Sequence, residues 1–262
     1  MLDTVLDKRF AVGTRIDGTS YADATERVIL WTKASESRSV YAANVHMVME
    51  GHDDPGFQQV INRGDLVTPD GMPLVWALRL QGVKAASRVY GPDLMRAVLR
   101  AAEFEGIKVG LYGGSHDVLD RLLSRIHSTF PDLRVVYSEA PPFRPLSPAE
   151  DEEVVRAVRT SGARILFVGL GCPKQERWIA SHRGRINAVM LGVGAAFEFL
   201  AKTKPQAPGW MQASGLEWAF RFATEPRRLW KRYAKHNPRF VILMLLQVLR
   251  GRTRAVPTAE LG

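Results

Sequence analysis

Asp70 stands in "DLVTPDG", at the end of a short apolar run and between Pro69 and Gly71. A carboxylate on such a turn can serve as a general base, taking the proton of an attacking hydroxyl. It can equally cap the helix predicted from "MPLVWALRL", because Asp before an apolar helical run is a standard N-cap. The residue alone leaves both roles open. Other chemistry-bearing residues collect at the ends of similar runs: Asn44 and His46 in "AANVH", Gly113 and Gly114 in "GLYGG", and Gly192 and Gly194 in "LGVGAAF". The run "RILFV" leads into "GLGCPKQE", which carries Gly171, Pro173, Lys174, Gln175 and Glu176. Three of these stretches are glycine turns opening a helix, where backbone N–H groups at a positive helix end suit a diphosphate. None completes the G-x-G-x-x-G fingerprint of a dinucleotide fold. Together they favour a phosphorylated ligand that is not a dinucleotide. Pro173 suits the first position of a helix, and Lys174 adds charge near the phosphates. His46 lies near the same end, where a structural place at a helix start is an equal alternative.

These residues need a sheet to hold them. Six β-rich apolar runs are predicted as strands, at 39–45, 65–70, 108–114, 133–139, 164–170 and 188–194. Between them lie helical patterns such as "GPDLMRAVLRAAEFEG" and "SPAEDEEVVRAVRTSG", with capping residues in front and glycine behind. Strand and helix in alternation predict a largely parallel sheet covered on both faces, the α/β class. In such sheets ligands bind beyond the carboxyl ends of the strands, where the unusual residues gather. With 262 residues, 46% of them hydrophobic, the chain can bury one substantial core or two small ones. The single cysteine, Cys172, excludes an intramolecular disulfide and a cysteine zinc cluster and fits a reducing compartment. Beside Pro173 and without a nearby His, it reads as a small structural residue. The N-terminal stretch has no apolar run of signal-peptide length, so export by that route is not expected.

Charge is distributed unevenly. Residues 219–254 contain ten basic side chains and one acid, Glu225, so the whole net charge of +9 sits there and the remainder balances. An excess of that kind calls for an anionic partner. The basic stretch has Trp230 and Tyr233 but no recognisable nucleic-acid motif, and nucleic acid is set aside as a partner. Phe240 to Leu246 is an unbroken apolar run flanked by arginines, about half of what a spanning helix needs. It can lie in a headgroup region with its basic flanks on anionic lipid. It can equally be a core helix or bury itself against a second copy of the chain, so a homo-oligomer stays open.

The chain resembles the WecG/TagA/CpsF glycosyltransferases, glycosyltransferase family 26. The matching pieces are "NVHMVME", "TPDGMPLVW", "RVYGPDL", "GLYGG", "VGLGCPKQERWI", "MLGVGAAFEFLA" and "QAPGWMQASGLEWAFRFATEPRRLWKRY", in family order from about residue 40 to residue 233. The resemblance implies a Rossmann-like domain over residues 1–204 and a helical C-terminal appendage over 205–262 that completes the site and docks on the membrane. It implies inverting transfer of a sugar from a UDP-sugar to a sugar on a polyprenyl diphosphate, during polysaccharide or wall-polymer synthesis. The place would be the inner face of the cytoplasmic membrane. Asp70 maps to the family's proposed base, Arg88 to an arginine near the active site and Gln175 to a glutamine beside the donor. Asn44 belongs to the first motif and joins Asp70 and Arg88 as a catalytic candidate. Arg221, Arg228 and Arg232 are placed to grip a diphosphate or to bind lipid by undifferentiated charge; the last two, four apart, share a helix face. With no Asp-x-Asp in the sequence, catalysis is expected to need neither metal nor cofactor. One departure is Ala42, where relatives often carry Thr, which bears on the donor: N-acetylmannosamine, its uronic acid and glucose all stay open. Two readings of other classes remain, a nicotinamide-dependent sugar-nucleotide oxidoreductase and a non-catalytic membrane-docking scaffold.

Overall fold

The structure is a computed structural model describing residues 5–251. Arg252 and Arg254 of the basic segment, and the end of the 205–262 appendage, lie outside the described residues. A hairpin opens the fold: β1 (Asp7–Ala11) and β2 (Thr14–Gly18) pair antiparallel. Helices and strands then alternate: α1 (Tyr21–Lys33), β3 (Arg38–Ala43), α2 (Val45–Asp53), α3 (Pro55–Asn62), β4 (Leu66–Pro69), α4 (Met72–Leu80), α5 (Gly91–Phe104) and β5 (Val109–Gly113). They continue through α6 (His116–Thr129), β6 (Val135–Glu139), α7 (Pro148–Ser161), β7 (Ile165–Gly169), α8 (Lys174–His182), β8 (Val189–Gly192) and α9 (Ala196–Leu200). Helices α10 (Gly209–Ala213), α11 (Glu217–Thr224) and α12 (Pro226–Leu249) complete it.

The six predicted strands are β3 to β8, and they form one sheet in the order β4-β3-β8-β7-β5-β6 with every pair parallel. Its central strands are apolar on both faces because helices cover both. Val40, Leu111, Phe167 and Leu191 point into the layer that holds α1, α5 and α6. Their neighbours Tyr41, Tyr112, Val168 and Met190 point into the layer that holds α2, α3, α7 and α8. Helix starts follow the local sequence. Asn44, Asp54 and Ser115 cap α2, α3 and α6, and Ser147 with Glu150 forms a reciprocal capping box on α7, which ends at the left-handed Gly162. The chain winds outward from β3 to β4 and from β5 to β6, and β7 and β8 fill the space between. The crevice at their carboxyl ends is where the direction reverses.

Helix α12 divides its faces. His236, Phe240 and Met244 are buried against the body of the protein. Gln247 donates to the Phe10 carbonyl (2.7 Å) and accepts from the Val12 N–H (2.9 Å), which fastens the helix to the hairpin. Arg239 makes a two-pronged contact with Asp53 (2.6 and 3.0 Å) that Lys235 joins at 3.0 Å. On the other side Val241, Ile242, Leu245 and Leu249 are 55–81% exposed. The apolar run is therefore a core helix along one face and an uncovered apolar stripe along the other. No helix among the described residues is long and apolar enough to cross a membrane.

Candidate active site

Asp70 follows directly on β4, and its N–H still bonds the Ala43 carbonyl of β3 (2.8 Å), so the turn is fixed to the sheet. Its side chain does not cap α4. Gly71 is the N-cap there, with no side-chain contact, while Asp70 Oδ1 accepts from the N–H of Gly91, the first residue of α5, at 2.6 Å. The capping role foreseen for Asp70 is thus transferred to another helix, whose own N-cap, Tyr90, offers none. No described residue bonds Oδ2. Burial pushes the carboxyl up to about 6, and Glu217 adds to that; the Arg88 guanidinium, the Gly91 N–H and Arg221 oppose it. A carboxylate in that range is ionised at neutral pH and still basic enough to accept a proton.

Arg88 stands behind Asp70 and does not line the cleft. Its Nε donates to the Asp70 backbone carbonyl at 2.6 Å, a second nitrogen of the fork pairs with Glu217, and its guanidinium lies 4.2 Å over the Tyr90 ring. Asn44 does line the cleft, but its side-chain oxygen is engaged by the Met47 N–H (3.2 Å) as the cap of α2. Ala42 lies on the same wall, near Gly91.

The cleft beyond these strands has a volume of about 1220 Å³. Gly114, Gly171, Gly192, Gly194, Lys174 and Gln175 line it, whereas Gly113, Pro173 and Glu176 do not. The glycine turns differ from the expected array of free N–H donors. Gly114 donates to the Gly169 carbonyl (3.1 Å), and Gly171 and Gly194 both donate to Gln175 Oε1 (3.2 and 3.1 Å). Those three donors are spent within the protein, which ties two loops to one side chain. A Cβ on Gly113 would come within 2.5 Å of the Gly169 backbone, so this glycine serves strand contact. Pro173 is the N-cap of α8, not its first helical residue. Gln175 Nε2 donates to Glu176 Oε1 at 2.7 Å; Glu176 is fully buried, and burial pushes its carboxyl up to about 7.

Positive charge enters from the C-terminal helices. Arg221 of α11 and Arg228 and Arg232 of α12 all line the cleft. Arg228 pairs with Glu225, while Arg232 Nε is buried without a hydrogen-bond partner. Burial lowers the Arg232 pKa, and Arg221 and Arg228 push in the same direction. Across the cleft Trp178 stacks on Tyr112 with ring centroids 4.6 Å apart. His46, Glu50 and His236 form the one described cluster with metal-ligand spacing, each offering an atom within 4.8 Å of the others. Burial and then the Arg232 charge hold His46 neutral, near a pKa of about 3. Glu50 Oε1 lies 3.8 Å from His46 Nδ1 and 3.3 Å from His236 Nε2, so the trio ties α2 to α12. Cys172 is likewise structural: burial raises its thiol far above the reactive range.

Glu217 and Tyr90 escaped the sequence reading. Both lie inside the motifs "GLEW" and "RVYGPDL", but Glu217 reaches Arg88 across 129 positions of chain, a pairing no local pattern signals.

Residues 10–254 match the model of the Glycosyl transferase WecG/TagA/CpsF family. Three curated relatives share the name N-acetylglucosaminyldiphosphoundecaprenol N-acetyl-beta-D-mannosaminyltransferase. The Bacillus subtilis (strain 168) protein is 27% identical over 238 residues, covering 90% of this chain and 89% of its own. That of Bacillus spizizenii is 28% identical over 208 residues (79% and 78%), and that of Staphylococcus aureus (strain NCTC 8325 / PS 47) 26% over 221 (83% and 85%).

Proposed function

The chain belongs to the WecG/TagA/CpsF family of glycosyl transferases, and on that premise we propose that it moves a sugar from a UDP-sugar to a sugar carried on a polyprenyl diphosphate. The relatives' shared name supports N-acetylmannosamine as the donor sugar and N-acetylglucosaminyl-diphosphoundecaprenol as the acceptor. The observation that carries the reading is Asp70: a carboxylate on the cleft with one oxygen held by Gly91 and the other unbonded. The acceptor hydroxyl hydrogen-bonds to Oδ2, and its proton passes to Asp70 as the oxygen bonds the anomeric carbon. The bond to UDP breaks on the opposite face, so the anomeric centre inverts.

Charge that develops on the departing UDP meets Arg221, Arg228 and Arg232, whose planar forks suit phosphate oxygens. Three cations in one cleft do what a metal would otherwise do, and the transfer runs without one. Residues up to about 204 form the donor-binding unit, and 205–262 the unit for acceptor and membrane. Exposed Trp210, Trp218, Trp230, Ile242 and Leu245, with the basic excess around them, support peripheral attachment to the anionic inner face of the cytoplasmic membrane. The oxidoreductase reading is dropped, because the glycine turns bond internally and the family is one of transferases.

The test is incubation of the purified protein with a panel of UDP-sugars, a short-chain polyprenyl-diphosphate N-acetylglucosamine and EDTA, read by mass spectrometry. A disaccharide-lipid formed from one donor supports the reaction, its metal independence and the sugar together. No product from any donor, with no detectable binding of UDP, contradicts it.

A further inference from the structure

Glu217 is a buried carboxylate, 9% exposed, in the first turn of α11, and it has no place in the proton and sugar transfers described above. Among the described residues its one ion-pair partner is Arg88. Arg88 in turn reaches Asp70, but by the backbone carbonyl and not by the carboxylate. The Tyr90 ring under the guanidinium fixes the plane of the fork. The three contacts hold a cation next to the base without letting it close on the base. An arginine paired directly with a carboxylate would make that carboxylate a poor proton acceptor. Of the three contacts, the one to Glu217 is the ion pair.

We propose that Glu217 is a positioning residue for the transfer reaction: by holding Arg88 across the contact between α11 and the sheet, it keeps the Asp70 carboxylate unpaired and open to the acceptor. The inference rests on the assignment of Asp70 as the base. It also gives the C-terminal helices a second task besides presenting arginines: the base reaches its working state only with α11 seated. The charged and titratable groups facing Asp70 are Arg88 and Tyr90 from the segment before α5, Glu217 and Arg221 from α11, and Tyr21 from α1. Of these, Glu217 is the one acid in contact with Arg88.

Glu217→Gln keeps the shape and a hydrogen-bond acceptor but removes the charge. The expected result is a loss in kcat of about tenfold, with KM for the UDP-sugar changed less than about threefold. The acid limb of the kcat profile should move to lower pH, because the freed Arg88 charge stabilises ionised Asp70. A merely structural role would lower thermal stability and leave the pH profile in place. A second measurement does not depend on turnover: the 13C carboxyl resonance of Asp70, titrated in the wild type and in Glu217→Gln. A lower midpoint in the variant supports the positioning role even if the transferase assignment fails. Equal midpoints in two folded proteins overturn it, whatever the activity.

Discussion

At Asp70 burial outweighs the groups that favour the charged carboxylate. Desolvation raises its carboxyl, while a helix-terminal N–H and a nearby guanidinium lower it, and the balance falls at about 6. The folded-state value lies above the ordinary 3.8, so the group binds its proton more tightly in the fold than in the open chain. Stability from this site is therefore present at acid pH and lost as pH rises through 6, where the proposed base ionises. Under the proposed reaction, kcat/KM should rise about tenfold per pH unit below 6 and flatten above it. A flat profile between pH 5 and 7 would remove Asp70 from the rate-determining proton transfer. Its position at a strand end was legible in "TPDG". Its partner was not, because nothing local says that the carboxylate turns away from α4 toward Gly91.

At the scale of elements, Gln175 joins the loops after β7 and β8 by accepting from Gly171 and Gly194 at once, and Glu176 holds its amide in register. Gln175→Ala leaves two N–H groups without their acceptor. It should cost about 1–3 kcal/mol of stability and weaken UDP binding about tenfold, measurable by thermal melting and calorimetry. Unchanged binding would mean the loops hold their shape without it. The six sheet strands were readable because strands buried on both faces are short apolar runs bounded by glycine and polar residues. The hairpin was not. Its turn is Val12–Gly13, with φ of 51° and 81°, and a β-branched residue in the left-handed region is no turn signal. Val12 is held there by tertiary contacts: its N–H goes to Gln247 and its carbonyl accepts from Gln58. The glycine turns misled in the opposite sense, since a pattern that suits phosphate also suits close packing and internal bonds.

For the whole molecule, the asymmetry of charge seen in the sequence becomes an asymmetry of surface. The arginines of α11 and α12 that face inward line the cleft, while the outward face of α12 shows an apolar stripe. The sequence could not divide the two roles, since which arginine turns inward depends on where α12 docks. That docking uses Gln247, Arg239 and Phe240, so truncation before residue 236 would strip the core as well as the stripe. Paired point changes separate the effects. Ile242→Asp with Leu245→Asp should abolish co-sedimentation with phosphatidylglycerol vesicles while leaving kcat on a short water-soluble acceptor within about twofold. Vesicle binding equal to the wild type would place the membrane contact elsewhere.

The role of Asp70 as base is tested most directly by Asp70→Asn, assayed for sugar transfer beside a calorimetric titration with UDP. The expected result is folding and UDP affinity close to the wild type and a fall in kcat of at least about 100-fold, the usual worth of a general base. An Asp70→Asn protein that transfers sugar at the wild-type rate would contradict it.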